Sequence, residues 1–149
     1  MRAVWIAGGL LAVMFAGAAV AQTDVINARR EGLRGIGRDM EAMKAIVDSR
    51  GDPRGAVPRI EQMTTFFQGF AARFPAGSDT PTGREPGHTG ALPTVWSDRA
   101  GFERAEANMV TQLGALRTAA AAGDAAGFAT AFQQTGATCG ACHRVYRAR

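Results

Sequence analysis

The chain has little of what most enzymes and most secreted scaffolds are built from. Of its 149 residues, two are cysteine, two are histidine and Lys44 is the single lysine. Two cysteines cannot make a disulfide framework, and a bridge between Cys139 and Cys142 would close a loop too small to stabilise much. With those two and His143 set aside, His88 is the last imidazole and no thiol nucleophile remains. Hydrolytic chemistry therefore has almost nothing to work with. Aromatic residues make up 7% of the chain and are nearly all Phe, and no segment alternates convincingly with a period of two. That pattern argues against a sheet, whereas abundant Ala and Gly suit helices that approach closely. Charge of one sign is also short: 17 basic residues face 13 acidic ones, an excess too small and scattered for nucleic acid. The length leaves room for one domain.

One long apolar run is present, at the start. Arg2 precedes Ala3 to Val20, and Ala19-Val20-Ala21 is the small-x-small pattern that a signal peptidase accepts. We expect residues 1–21 to be a cleaved secretory leader, and residues 22–149 to be the mature domain in the oxidising periplasm. Nothing later is long and apolar enough to span a membrane.

Four helical segments follow. The first is expected over about Thr23 to Asp48, with Val25, Ile26, Leu33, Ile36, Met40, Met43 and Val47 at three- and four-residue steps and Thr23 or Asp24 as cap. The second starts after Pro58 and carries Ile60, Met63, Phe67, Phe70 and Phe74 as one continuous stripe. Residues 75–96 read as loop, rich in Pro and Gly. Ser97 is expected to cap a third helix, whose inner face is Phe102, Ala105, Met109, Leu113 and Leu116. A fourth runs from Asp124 almost to the C-terminus. Short, long and short connections give an all-α, up-down antiparallel four-helix bundle.

The last helix carries the chemistry. Cys139-Gly140-Ala141-Cys142-His143 is C-x-x-C-H, the attachment pattern of covalent haem c. Three- and four-residue spacing puts both thiols and the imidazole on one helix face. From there two thiols can add to the vinyl groups on one edge of a porphyrin while the imidazole coordinates iron. A structural zinc site would need a fourth ligand, and only His88, in the loop, is left to supply it. A thioredoxin-like redox pair would need a βαβ setting that this chain lacks.

On these residues the chain resembles the cytochromes c′. The resemblance rests on Arg29-Arg30-Glu31-Gly32-Leu33, Phe74-Pro75-Ala76-Gly77-Ser78, Pro93-Thr94-Val95-Trp96 with Phe102, and the late Cys139-Gly140-Ala141-Cys142-His143-Arg144-Val145-Tyr146-Arg147. It departs from the family at Thr94, where a Glu is common, and in the length of the preceding loop. The resemblance implies one haem c per chain, anchored at Cys139 and Cys142 with His143 as the single axial ligand. It further implies that Arg29 approaches a haem propionate, with Arg30 beside it in the same cofactor-binding stretch. Leu33 would cover the open distal face, and Arg147 would stand beside the proximal ligand. A homodimer is implied as well.

Two roles follow from that arrangement. One is electron transfer to redox partner proteins. The other is binding of nitric oxide or carbon monoxide at a five-coordinate haem behind Leu33, which offers no donor to stabilise dioxygen. The alternative is a six-coordinate, purely electron-carrying cytochrome with a methionine as distal ligand. Met40 and Met43 lie roughly 10–15 Å along the helix axis from Leu33 and are expected to be core, as is Met63. Neither nucleic acid nor, after cleavage, a membrane is an expected partner, and no catalytic residue is assigned.

Overall fold

In the computed structural model the backbone is described from residue 9 and the side chains from residue 22. The leader expected over 1–21 and its cleavage site lie outside the fully described residues. The helices are α1 (Gly9–Ser49), α2 (Val57–Phe67), a single turn α3 (Thr94–Ser97), α4 (Arg99–Ala122) and α5 (Ala125–Tyr146), with 3₁₀ turns at Pro53–Ala56 and Phe70–Arg73. No strand occurs among the described residues. Isolated bridges link Thr82 to Thr89 and Ala91 to Arg147. Helices α1, α2, α4 and α5 form the up-down bundle, and α4 and α5 pack most extensively against each other.

Helix α1 continues through Thr23 and Asp24, which therefore sit inside it and do not cap it. No Gly or Pro interrupts the residues just before them, so nothing breaks the ladder there. Its buried face includes Ile26 and Met43, both fully buried. Between them, Arg29 occupies a position in step with that stripe and is itself 2% exposed.

The second helix is shorter than its apolar stripe suggests. It ends at Phe67, the chain turns through Gly69 at φ 73°, and a 3₁₀ turn follows. Glu106 of α4 holds that turn, accepting from Gly69 N at 2.8 Å and Ala71 N at 2.7 Å. Phe70 and Phe74 are still buried, because the turn redirects the chain without taking its apolar face out of the core. Phe74 and Phe102 meet edge-on at 5.0 Å, and Phe102 meets Tyr146 at 5.1 Å. Phe66, which meets Phe70 at 5.5 Å, lies directly on α1 at Gly32, where any Cβ would overlap the ring.

Helix α4 is capped by Asp98, whose side chain accepts from Gly101 N, while Ser97 closes the short α3 turn. The shift from Ser97 to Asp98 follows from that extra turn. Phe102, Met109, Leu113 and Leu116 are buried as expected. Gly123 at φ 71° ends α4, and Asp124 caps α5 through Gly127 N.

Candidate haem site

A cavity of about 920 Å³ opens between α1, α4, α5 and the segment crossing from α2 to α3. Its size lies near the top of the roughly 300–1,000 Å³ range of small-molecule and cofactor sites. Cys139, Cys142, His143, Leu33, Arg29, Arg30 and Arg147 all line it. The fold thus brings every site residue expected from the sequence to one space.

The α5 wall is made by helix geometry. Both cysteines are half-buried free thiols. Burial raises the pKa of each, and Cys139 adds to the effect at Cys142. His143 is exposed at the cavity margin, yet partial burial and then the Arg147 charge push its imidazole below the ordinary range. The neutral ring, with a free lone pair, is the form that binds metal. Among the described residues no three His, Cys, Asp or Glu side chains converge as ligands to one ion. The site thus offers two thiols and one imidazole along a helix face, a donor set that fits covalent haem and not a zinc cage.

The α1 wall holds Leu33, which is half-buried, and Phe70 and Phe74 line the same cavity. Of the three methionines expected in the core, Met43 and Met63 are fully buried there. Met40 differs: it is half-buried and lines the cavity two turns from Leu33.

The arginine pair on α1 does something no local pattern announces. Arg29 donates to Ser78 Oγ at 2.8 Å, Ser78 O at 2.7 Å, Thr89 Oγ1 at 2.6 Å and, more weakly, Arg73 O at 3.4 Å. Its guanidinium lies 4.4 Å from the centre of the Phe74 ring. All four acceptors are neutral oxygens, and burial lowers its pKa to about 10. Arg30 donates to the carbonyls of Arg84 and His88, both at 2.5 Å, and to that of Glu85. Residues 78–90 are thereby strapped across α1, where Gly87 N also reaches Asn27 Oδ1 at 2.8 Å. The sequence carried one signal of this, a charged residue standing in the apolar stripe of α1.

The far end of the same segment grips the end of α5. Leu92 N donates to Tyr146 O at 2.9 Å, and Ala148 N donates to Gly90 O at 2.8 Å. Thr94 Oγ1 donates to Val145 O at 2.7 Å, and Tyr146 Oη to Asp98 Oδ2 at 2.8 Å. Neither Asp98 nor Tyr146 stood out as a site residue in the sequence.

Known proteins with this architecture are close enough to name. The family described as Cytochrome C' matches residues 24–147. A cytochrome c-556 of Agrobacterium fabrum is 33% identical over 143 aligned residues, spanning 93% of this chain and 90% of the relative. A cytochrome c′ of Rhodopseudomonas palustris is 31% identical across 100% of this chain and 97% of its own. Among solved structures, cytochrome c′ from Thermochromatium tepidum superposes with a TM-score of 0.76 at 26% identity, covering 86% of this chain and 97% of that one. A nitric oxide complex of a leucine-to-alanine variant of the Alcaligenes xylosoxidans protein gives 0.73 at 26% identity, covering 86% and 96%. With its C-x-x-C-H helix on the wall of a single large cavity, the chain belongs to the cytochrome c′ family, and its cofactor is covalently bound haem c.

Proposed function

We propose that the chain is an exported, periplasmic haem protein that carries single electrons and binds small neutral diatomic gases. Cys139 and Cys142 would anchor the cofactor by thioether bonds, with His143 as the axial ligand of the protein. One observation carries this reading: those three residues on α5 and Leu33 on α1 line the same cavity. Haem c supplies ferrous–ferric cycling and an iron coordination position open to small ligands.

The chain's own groups set the limits on that chemistry. Leu33, Phe70 and Phe74 make an apolar wall without a hydrogen-bond donor, which favours neutral diatomics over stabilised dioxygen. The nitric oxide complex of the A. xylosoxidans relative supports the same reading. For electron exchange, six arginines and one glutamate border the cavity, in a chain whose formal charge is only +4. Glu106 is already committed to two backbone N–H groups. A redox partner with an acidic face would therefore be steered to this opening.

The second reading, a six-coordinate pure electron carrier, has one observation in its favour: Met40 borders the same cavity. It sits seven residues beyond Leu33, roughly 10 Å down the helix axis. An optical spectrum of the reduced protein with and without carbon monoxide separates the two. We expect a high-spin ferrous spectrum that changes on adding the gas. A low-spin spectrum indifferent to carbon monoxide, becoming high-spin in Met40→Ala, would establish the carrier alone.

A further inference from the structure

Among the described residues, nothing accepts a hydrogen bond from the His143 ring. Metal-binding histidines almost always donate their second N–H to a carboxylate, a carbonyl or water, which fixes the plane of the ring. With no protein group accepting that N–H and the ring exposed, the protein's own hold on the ring is its hold on the helical turn that bears it. That turn is the last of α5, where a helix would ordinarily fray.

We infer that Asp98, acting through Tyr146, is the positioning residue for His143, an inference that rests on His143 being the axial ligand. Tyr146 follows His143 by three residues and so projects from the same side of α5. Its ring is 8% exposed and packs edge-on against Phe102. Its hydroxyl donates to Asp98 Oδ2 at 2.8 Å, while Asp98 Oδ1 accepts from Gly101 N at 3.0 Å. One carboxylate therefore ties the first turn of α4 to the last turn of α5.

Gly101 makes the tie possible. A Cβ there would overlap both the Asp98 carboxylate and the Tyr146 hydroxyl. Glycine is a poor helix former, and this close approach gives it a reason at Gly101. Two backbone anchors complete the clamp, from Leu92 N to Tyr146 O and from Thr94 Oγ1 to Val145 O. The turn bearing His143 is thus held from α4 and from the crossing segment together.

The test uses holoprotein made in cells that attach haem. In the ferrous state we would measure the iron–histidine stretching band and the midpoint potential for wild type, Tyr146→Phe, Asp98→Ser and the double variant. Phe keeps the ring packing, and Ser keeps the helix cap but is too short to reach Tyr146. Both single variants should shift the band and the potential in the same direction. The double variant should go no further, because each single change removes the same bond. Gly101→Ala should reproduce the shift by crowding the pair. Leu116→Ala, in the core and away from the cavity, should lower Tm and leave the band in place. Variants that lose stability like Leu116→Ala while keeping the wild-type band and potential would overturn the inference. A wild-type protein with no such band would remove it along with the His143 assignment, and that failure is read before any variant is made.

Discussion

The two walls of the cavity are built on opposite terms. On the α5 side Cys142 and His143 follow Cys139 by three and four residues and precede Tyr146 by four and three, so forming one helix gathers them. On the α1 side the acceptors of Arg29 lie 44 to 60 residues away in sequence, and no secondary structure brings them together. The first wall exists as soon as α5 forms. The second exists only once residues 78–90 have folded across α1. Chemistry carried by local spacing survives in a bare sequence, while chemistry carried by a long crossing does not. The first wall should also outlast the second when the cavity is emptied.

Removing the cofactor is expected to have the largest effect. The double variant Cys139→Ala, Cys142→Ala, freed of haem, should keep much of its far-ultraviolet helix signal and lose cooperative unfolding. A group bound only to the native state contributes about 4 kcal/mol at ~1,000-fold saturation. A covalent haem stays on the unfolded chain as well, and stabilises by the apolar surface it buries in the cavity when the chain folds. Hydrogen exchange should show the strap at residues 78–90 losing protection first. The α4–α5 contact around Leu113, Leu116 and Phe128, all fully buried, should be the last to open. Equal loss on both sides would erase the distinction between the walls.

Next in size is Arg29→Leu. It breaks the charged hydrogen bonds to Ser78 and Thr89 and leaves the Ser78 carbonyl without a donor, at about 1–3 kcal/mol for the buried orphan, while the Ser78 and Thr89 hydroxyls keep Pro75 O and Ala91 N as partners. Relief from burying a charge returns part of that, so about 2–4 kcal/mol net is expected from denaturant midpoints. Protease cleavage between Ser78 and Gly90 should appear with it. Arg29→Lys should restore less than half, because an ammonium cannot fork across three oxygens.

These expectations show what could be read from residues alone. The bundle, the motif on α5 and the buried face of α4 were legible because each follows helical spacing. The stripe on α2 was legible too, but its break was not. Gly69 at φ 73° and the two hydrogen bonds from Glu106, 37 and 35 residues on, redirect the chain, and periodicity carries no trace of a distant cap. The residues lining the cavity were identifiable individually, whereas the four bonds of Arg29 into the crossing segment were not. Thr94, where the family often has Glu, is a further case: its hydroxyl bonds the Val145 carbonyl 51 residues away.

A smaller effect is expected at Leu33. The side chain is half-buried, so Leu33→Ala should cost about 1–2 kcal/mol, below the roughly 2–5 of a fully buried leucine. Carbon monoxide association measured by stopped flow should accelerate, because less side chain stands in the way. An unchanged rate would take Leu33 off the ligand path and leave the α1 wall a purely structural one.

The smallest effect lies in acid. The Tyr146 hydroxyl, and after it the Gly101 N–H, hold the Asp98 carboxyl below its ordinary range. The folded state then binds fewer protons than the unfolded chain near the ordinary value of about 3.9. This contribution is present above that value and is lost as pH falls through the lower, folded one. Asp98→Asn should flatten the fall of Tm with acid in that window, and an identical acid profile would contradict it.

The most direct test of the account is the mass of the mature protein under denaturing conditions, after expression in cells able to attach haem. The result expected is the polypeptide beginning at Gln22 plus one haem. The addition should survive denaturation in either single cysteine variant and be absent in the Cys139→Ala, Cys142→Ala double variant. A wild-type mass equal to the bare polypeptide, or an addition that persists without both cysteines, would contradict the assignment of Cys139, Cys142 and His143 as the haem anchor.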